Sequence, residues 1–413
     1  MSTPDTLTTQ TRWRGVGYGI CLGFVAAYFQ FKVPPVLPTL FEAFAYNPVV
    51  AGGFMSIFAI AGMAVSVRVG KAIQRDGATR YIAGAFGLLV AGSLLGLALP
   101  ENAWLMLGSR LVEGVGAAIL AVCMPAYANM NAQPSHLPIV IGMQSCWIPV
   151  GQLGANAVAQ PSVAIGSWQP VWWAGIAAVL GMTAWSWWIA RDPEIVIGGR
   201  GKTGSEANVP VADSPMSAAE RRAMLAAVLL FFLWQAQFMA YFTWLPLFLV
   251  EVHGVSADIA VLINQLPVIV LLVFALATGF VLRAGVSVAK LLAWSLVLQA
   301  AGWLLIPWSE NTALGIVSLV AWGVAAGVCP TCLWSLPSAL LGGHRAGTHA
   351  FGLVLTGRYL GILVGPIAAA ALLEWHVGWT IIAVMFGGFT VLTIVFAIVF
   401  AHLARQAGKP APT

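Results

Sequence analysis

Residues 223–250 read AMLAAVLLFFLWQAQFMAYFTWLPLFLV, with no charged side chain between Arg222 and Glu251. The hydrocarbon of a bilayer offers no water to replace a missing hydrogen-bond partner, so a run this apolar crosses it only as a helix that satisfies its own amides. About 20 such residues are needed. The rest of the chain repeats the pattern, at 15–38, 49–70, 78–98, 103–128, 138–160, 170–190, 259–282, 290–308, 312–340, 350–373 and 378–403. Composition agrees: 60% of residues are hydrophobic and 8% are charged, whereas a soluble domain carries roughly 25% charged residues. Too few charges are present to coat a water-facing surface. The expected fold class is an all-α membrane protein with twelve transmembrane helices, and a soluble globular enzyme is excluded.

The basic residues set the expected orientation. With the amino terminus in the cytoplasm, Arg12, Arg14, Arg68, Lys71, Arg75, Arg80, Arg191, Arg200, Lys202, Arg221, Arg222, Arg283, Lys290, Arg345, Arg405 and Lys409 all fall on one side. The other side holds Glu42, Glu101, Glu251, Asp258, Glu310 and Glu374. This is the asymmetry of the positive-inside rule, and a wrong helix count would scramble it. Both termini are therefore expected in the cytoplasm, with the protein integral to the plasma (inner) membrane. Arg12 and Arg14 flank a first segment that lacks a small-residue cleavage pattern, so it reads as a retained helix. Trp172 and Trp173 at one end of the sixth segment, and Trp185, Trp187 and Trp188 at the other, read as interfacial rings.

The polar stretch 191–222 contains Gly198, Gly199, Gly201, Gly204, Pro210 and Pro215 and reads as a flexible connection. It separates two pseudo-symmetric six-helix bundles, residues 1–190 and 223–413. Its basic residues suit topology enforcement and anionic lipid headgroups; nothing points to nucleic acid. Cys329 and Cys332 form a C-x2-C pair among apolar neighbours, without the two further ligands of a closed zinc site. No GxxxxGK[ST] loop is present, so this chain encodes no ATP-hydrolysing module. No cofactor and no metal are expected.

Charges inside the crossings are scarce: Lys32, Arg110, Glu113 and Arg358. Each must face protein or a wet cavity, because lipid exposure costs roughly 2.5–3.5 kcal/mol even on a lenient scale. They sum to two positive charges, so a cavity bordered by all four would favour an anion, and an arginine holds a carboxylate through two parallel hydrogen bonds. Arg110 and Glu113 are three apart and share a helix face, which fits a structural or gating pair as well as a coupling site. Lys32 fits either a cavity or a stem snorkelling to the outer headgroups. Tyr28 and Gln30 precede Pro34, Pro35 and Pro38, which puts polar groups beside broken backbone hydrogen bonding. Further polar candidates are Gln144, Gln152, Asn156, Gln235, Gln237, Asn264, Gln265 and Gln299, each of which reads as cavity lining or interhelical glue. Among these Gln144, Gln235 and Asn264 are preferred. The expected substrate-binding set is therefore Tyr28, Gln30, Lys32, Arg110, Gln144, Gln235, Asn264 and Arg358, with Glu113 and Arg110 as the proton-coupling pair. Gly108, Gly114 and Gly116, like Gly357, Gly361 and Gly365, let helix backbones approach closely.

Arg110-Leu111-Val112-Glu113-Gly114-Val115-Gly116-Ala117-Ala118 resembles the R-x-x-x-G-x-G-x-A signature of the major facilitator superfamily, and the loop from Gly70 to Arg80 resembles its G-x-x-x-D-R-x-G-R-R signature. Gly70, Arg75 and Gly77 match the loop pattern. Gln74 stands where the family has aspartate, so the resemblance implies a conformational loop whose charge clamp is either weakened or rebuilt with Asp76. Segment 138–160 keeps Gly142 and Gly151 of an antiporter pattern but lacks its Gly-Pro pair, which argues against drug export. The resemblance covers the whole chain and implies alternating access, two bundles rocking about a midplane site. It also implies a secondary transporter rather than an enzyme, acting as a monomer. The first expectation is proton-coupled uptake of a small organic anion; the alternative is proton-coupled efflux of drug-like compounds or metabolites.

Overall fold

The computed structural model describes residues 10–76, 78–133, 136, 139–140, 143–144, 146–192, 195, 216–309, 312–341 and 348–407. All regular structure among them is helical. The helices are α1 (Trp13–Phe31), α2 (Leu37–Phe44), α3 (Pro48–Asp76), α4 (Thr79–Ala98), α5 (Ala103–Met130), α6 (Trp147–Ala164) and α7 (Gln169–Ile189) in the first half. The second half contains α8 (Ala218–His253), α9 (Ala257–Arg283), α10 (Val288–Leu305), α11 (Thr312–Leu341), α12 (Thr348–Glu374) and α13 (Trp379–Gln406). By length and apolarity, ten spans among the described residues suffice to cross a membrane. The two helices outside that set are α6, with Gln152, Asn156 and Gln160, and the tryptophan-rich α7.

Local chemistry places the ends. The α8 run begins at a capping box in which Ser217 and Glu220 satisfy each other's backbone N–H groups, and it stops at Gly254, whose φ of 63° is left-handed. Asn102 accepts from the amides of Trp104 and Leu105 to start α5. The first crossing is interrupted: α1 ends at Phe31, a 3-10 turn spans Pro34–Val36, and α2 completes the passage. Pro34 and Pro35 have no N–H to offer the carbonyls of Gln30 and Phe31.

The two halves pack alike. In the first, α5 touches α1, α3 and α4, α1 also meets α6 and α7, and α4 meets α7. In the second, α11 touches α8, α9 and α10, α8 also meets α12 and α13, and α10 meets α13. The most extensive contacts joining the halves, α3 with α12 and α6 with α9, exchange under the same symmetry. This is the twelve-helix, two-bundle architecture of the sequence reading.

One end of the molecule carries Trp13, Ile189, Ala218 and Gln406 and is called the terminal face below. At the opposite face the bundles are closed together. The 3-10 turn and α2 lie against α8, the Phe41 and Trp244 rings stand 6.3 Å apart, and Asn47 Nδ2 donates to Glu374 Oε1 at 2.9 Å.

Candidate functional site

Two arrangements of polar side chains sit inside this frame. The first is a charge cluster wholly within the first bundle. Glu113 on α5 is fully buried, and Gly92 on α4 makes room for it: a Cβ there would stand 2.6 Å from Glu113 Cγ. Glu113 Oε1 accepts from Lys32 Nζ at 2.7 Å and from Ser93 Oγ at 2.6 Å, while Oε2 accepts from Arg110 Nη1. Lys32 also donates to Ser93 Oγ at 3.1 Å. The rest of the Arg110 fork is spent on backbone: Nη2 on Phe29 O at 2.8 Å and Gln30 O at 3.2 Å, Nε on Phe54 O at 3.3 Å. Phe29 and Gln30 lie in the last turn of α1, where helix carbonyls lack an internal partner. Pro34 leaves the Gln30 carbonyl open to Arg110, which links the proline interruption directly to the cluster.

Ring faces cover the cations. Lys32 Nζ stands 4.6 Å from the Phe29 ring centre and 4.4 Å from that of Trp172, and the Arg110 guanidinium is 4.4 Å from that of Phe58. Taking two cations and one carboxylate out of water is tolerable only because the hydrogen-bonding positions are used so fully. The cluster keeps one net positive charge. Lys32 therefore does not snorkel to the headgroups. Trp172, read from sequence as an interfacial ring, is a correction: it is fully buried and forms part of the cation's wall, whereas Trp173, Trp187 and Trp188 are exposed.

The second arrangement is a cavity of about 430 Å³ between the bundles. Met124 of α5 and Trp147, Ile148 and Pro149 of α6, with Gln144 just before it, line one side. Phe231, Trp234, Gln235 and Phe238 of α8 line the other, with Trp334 of α11 and Arg358 of α12. The spacing 231, 234, 235, 238 puts all four α8 residues on one helix face. Met124 near the end of α5, Trp147 at the start of α6 and Arg358 early in α12 place the cavity toward the terminal face, away from the closed end. Gly357, Gly361 and Gly365 press α12 onto α8; a Cβ at Gly361 would lie 2.7 Å from Gln235 Cβ, and one at Gly365 would lie 2.1 Å from Ala236 O. That contact holds Arg358 beside the α8 face. A groove of about 510 Å³ between α4 and α7 is a separate feature, with exposed Leu94 and Leu180 on its walls facing the hydrocarbon.

Of the residues expected to contact substrate, Gln144, Gln235 and Arg358 are brought together in this cavity. Arg358 is partly exposed and has no carboxylate partner among the described residues. Arg110 and Lys32 do not share the cavity with it, because their donors are consumed by Glu113, Ser93 and carbonyls. A single cavity bordered by all four embedded charges is therefore not what the fold builds. Tyr28 donates to Val171 O at 2.8 Å, Gln30 is buried, and Asn264 is fully buried with neither side-chain polar atom partnered among the described residues. Gln237 and Gln299 are glue: Gln299 Nε2 donates to Gln237 Oε1 at 2.8 Å, and Thr390 donates to the same oxygen. The surroundings of Gly70, Gln74, Arg75, Asp76 and Gly77 lie outside the described residues; Arg80 starts α4 with its guanidinium 5.3 Å from the Tyr81 ring centre. The sequence reading missed Ser93 and the aromatic walls. The α8 stripe was findable from its spacing; Trp147 and Trp334 were not, since only tertiary packing aims them inward.

Comparison with known proteins follows the same lines. Residues 19–349 match the family model described as Major Facilitator Superfamily. The cyanate transport protein CynX of Escherichia coli (strain K12) is 26% identical over 359 residues, covering 83% of this chain and 88% of that protein. Among solved structures, the nucleoside transporter NupG superposes with a TM-score of 0.73 at 15% identity, over 94% of this chain and 98% of the other. A D-xylose-proton symporter superposes with a TM-score of 0.71 at 15% identity, over 97% and 100%. At such identities the structures speak for the fold alone. With the family model spanning most of the chain, the protein belongs to the Major Facilitator Superfamily and is an integral membrane transporter of small molecules.

Proposed function

We propose that this transporter takes up a small organic anion by proton-coupled symport, with Arg358 as the anion receptor. The observation that carries this reading is the contrast between the two sets of embedded charge. Lys32 and Arg110 are both held by hydrogen-bonded ion pairs to Glu113, whereas Arg358 lines the cavity with no carboxylate partner among the described residues. A guanidinium without a counter-ion in a largely apolar site favours an anionic guest and offers it a planar fork. The name of the CynX relative, a cyanate transport protein, supports a negatively charged cargo.

In this reading the bundles 1–190 and 223–413 rock about the cavity, tethered by the cytoplasmic linker 191–222, and the described conformation opens to the cytoplasm. Glu113 is the coupling group. Its carboxylate ties α5 to Lys32 at the end of α1 and to Ser93 on α4. Adding a proton there weakens both ties at once, so proton occupancy and helix arrangement are linked through differential stabilisation of two states. The aromatic cavity walls favour a second reading, proton-coupled efflux of drug-like compounds or metabolites. Transport direction under an imposed pH gradient separates the two.

The test is counterflow in proteoliposomes, screening anionic, neutral and cationic solutes with and without a pH gradient. A hydrogen bond to a charged group contributes about 1.5–3 kcal/mol, so Arg358→Ala should weaken apparent anion affinity by roughly 10- to 150-fold. Unchanged affinity for every transported anion in Arg358→Ala rules out its role as receptor.

A further inference from the structure

The cavity that holds Arg358 is far larger than a triatomic anion requires. A water molecule's share of liquid volume is about 30 Å³, and an ion of cyanate's size is not much bigger. In a space of about 430 Å³ such an ion at Arg358 would touch little else. The volume instead falls within the range of pockets that hold drug-sized organic molecules.

The walls narrow the choice further. Trp334 and Phe231 meet edge to face with ring centres 5.1 Å apart; Phe231 continues to Trp234 at 6.0 Å, and Trp234 to Phe238 at 5.3 Å. These four rings form one connected aromatic surface on the second bundle. Trp147 adds a fifth ring from the first bundle, so aromatic surface flanks the cavity on both sides of the bundle interface. Arg358 is the one charged side chain among the described lining residues. Aromatic faces carry negative potential, which repels a carboxylate from the walls and directs it to the guanidinium. The same faces and edges accept a guest ring in stacked or edge-to-face contact. Gln235 makes no hydrogen bond among the described residues and stands in the middle of the aromatic stripe, free to bind a ring hydroxyl or the second carboxylate oxygen.

We infer that the cargo is a planar aromatic monocarboxylate, held by its carboxylate at Arg358 and by its ring against the Trp334–Phe231–Trp234–Phe238 wall and Trp147. This rests on the reading of Arg358 as anion receptor and adds the chemistry of the remainder of the substrate. One cation matches one carboxylate, and a rigid ring fills an aromatic slot with little conformational entropy to lose. Trp334 is then a specificity-determining residue: its loss reduces the preference for aromatic guests while leaving the anion site at Arg358 in place.

The experiment uses the full-length purified protein in proteoliposomes, with benzoate counterflow competed by cyclohexanecarboxylate, acetate, cyanate and benzamide. Benzoate should be transported, cyclohexanecarboxylate should compete roughly 3- to 10-fold less well, as expected for loss of an aromatic pair, and acetate and cyanate more weakly still. Benzamide, which keeps the ring and lacks the charge, should not compete. Trp334→Leu should shrink the advantage of benzoate over cyclohexanecarboxylate, and Trp334→Phe should restore most of it, which separates lost ring contact from misfolding. Acetate or cyanate competing as well as benzoate would overturn the aromatic assignment while leaving the anion receptor standing. Benzamide competing as well as benzoate would overturn the receptor itself, and transport of none of the five would overturn the assignment of substrate class.

Discussion

Glu113→Gln removes the only anion from a cluster that contains two buried cations. The charges of Lys32, Arg110 and Glu113 sum to +1; in the variant they sum to +2, on side chains with no solvent exposure. Removing one partner of a buried pair costs about 3–5 kcal/mol. With unfolding entropy of about 2.1 cal/mol/K per residue over 413 residues, each kcal/mol moves the melting temperature by about 1 °C, so Glu113→Gln should melt roughly 3–6 °C lower. Adding Lys32→Met brings the sum back to +1. Methionine is unbranched, and its sulfur suits the ring faces of Phe29 and Trp172 that Lys32 now occupies. The double variant is therefore expected to melt above Glu113→Gln, recovering about 2 °C or more, with a coupling energy of roughly 1–3 kcal/mol. Melting of detergent-purified protein is readable with a thiol-reactive dye, because Cys123, Cys146, Cys329 and Cys332 are buried until unfolding. Transport supplies the second readout: Glu113→Gln should exchange substrate across equilibrated membranes but fail to accumulate it when driven by a pH gradient. A double variant melting at or below the sum of its singles would refute the electrostatic account. Undiminished proton-driven accumulation by Glu113→Gln would remove this residue from coupling.

Two further outcomes are expected. Ser205→Cys, in the linker, should resist an impermeant thiol reagent in whole cells, whereas Glu101→Cys, exposed at the closed face, should label; the reverse pattern would invert the topology. Gly361→Ala should destabilise by about 1–3 kcal/mol through forced separation of α12 from α8, since its Cβ would meet Phe232 O at 2.6 Å, while Gly87→Ala, with nothing within 4 Å, should be neutral or stabilising in the same melting assay.

The membrane class, the twelve crossings and their approximate bounds were legible in the chain itself. The signal there is local: a long uncharged run such as 223–250 must become a helix in hydrocarbon whatever its neighbours do. The Arg110-Glu113 pair was equally legible, because three residues of separation places two side chains on one helix face. Embedded charge could be counted from sequence but not apportioned. Lys32 is 81 residues from Glu113 in the chain, and their 2.7 Å contact depends on the proline-interrupted end of α1 meeting α5. The same packing takes Arg110 out of the cavity and turns Trp172 from an interfacial ring into a buried wall. Arg358 is left open because the glycine face of α12 seats it against Gln235 and the rings of α8. Helix formation in lipid follows from each segment's own backbone, whereas pairing of charges and enclosure of a cavity depend on which faces of distant helices come to lie opposite one another, and only the tertiary structure decides that.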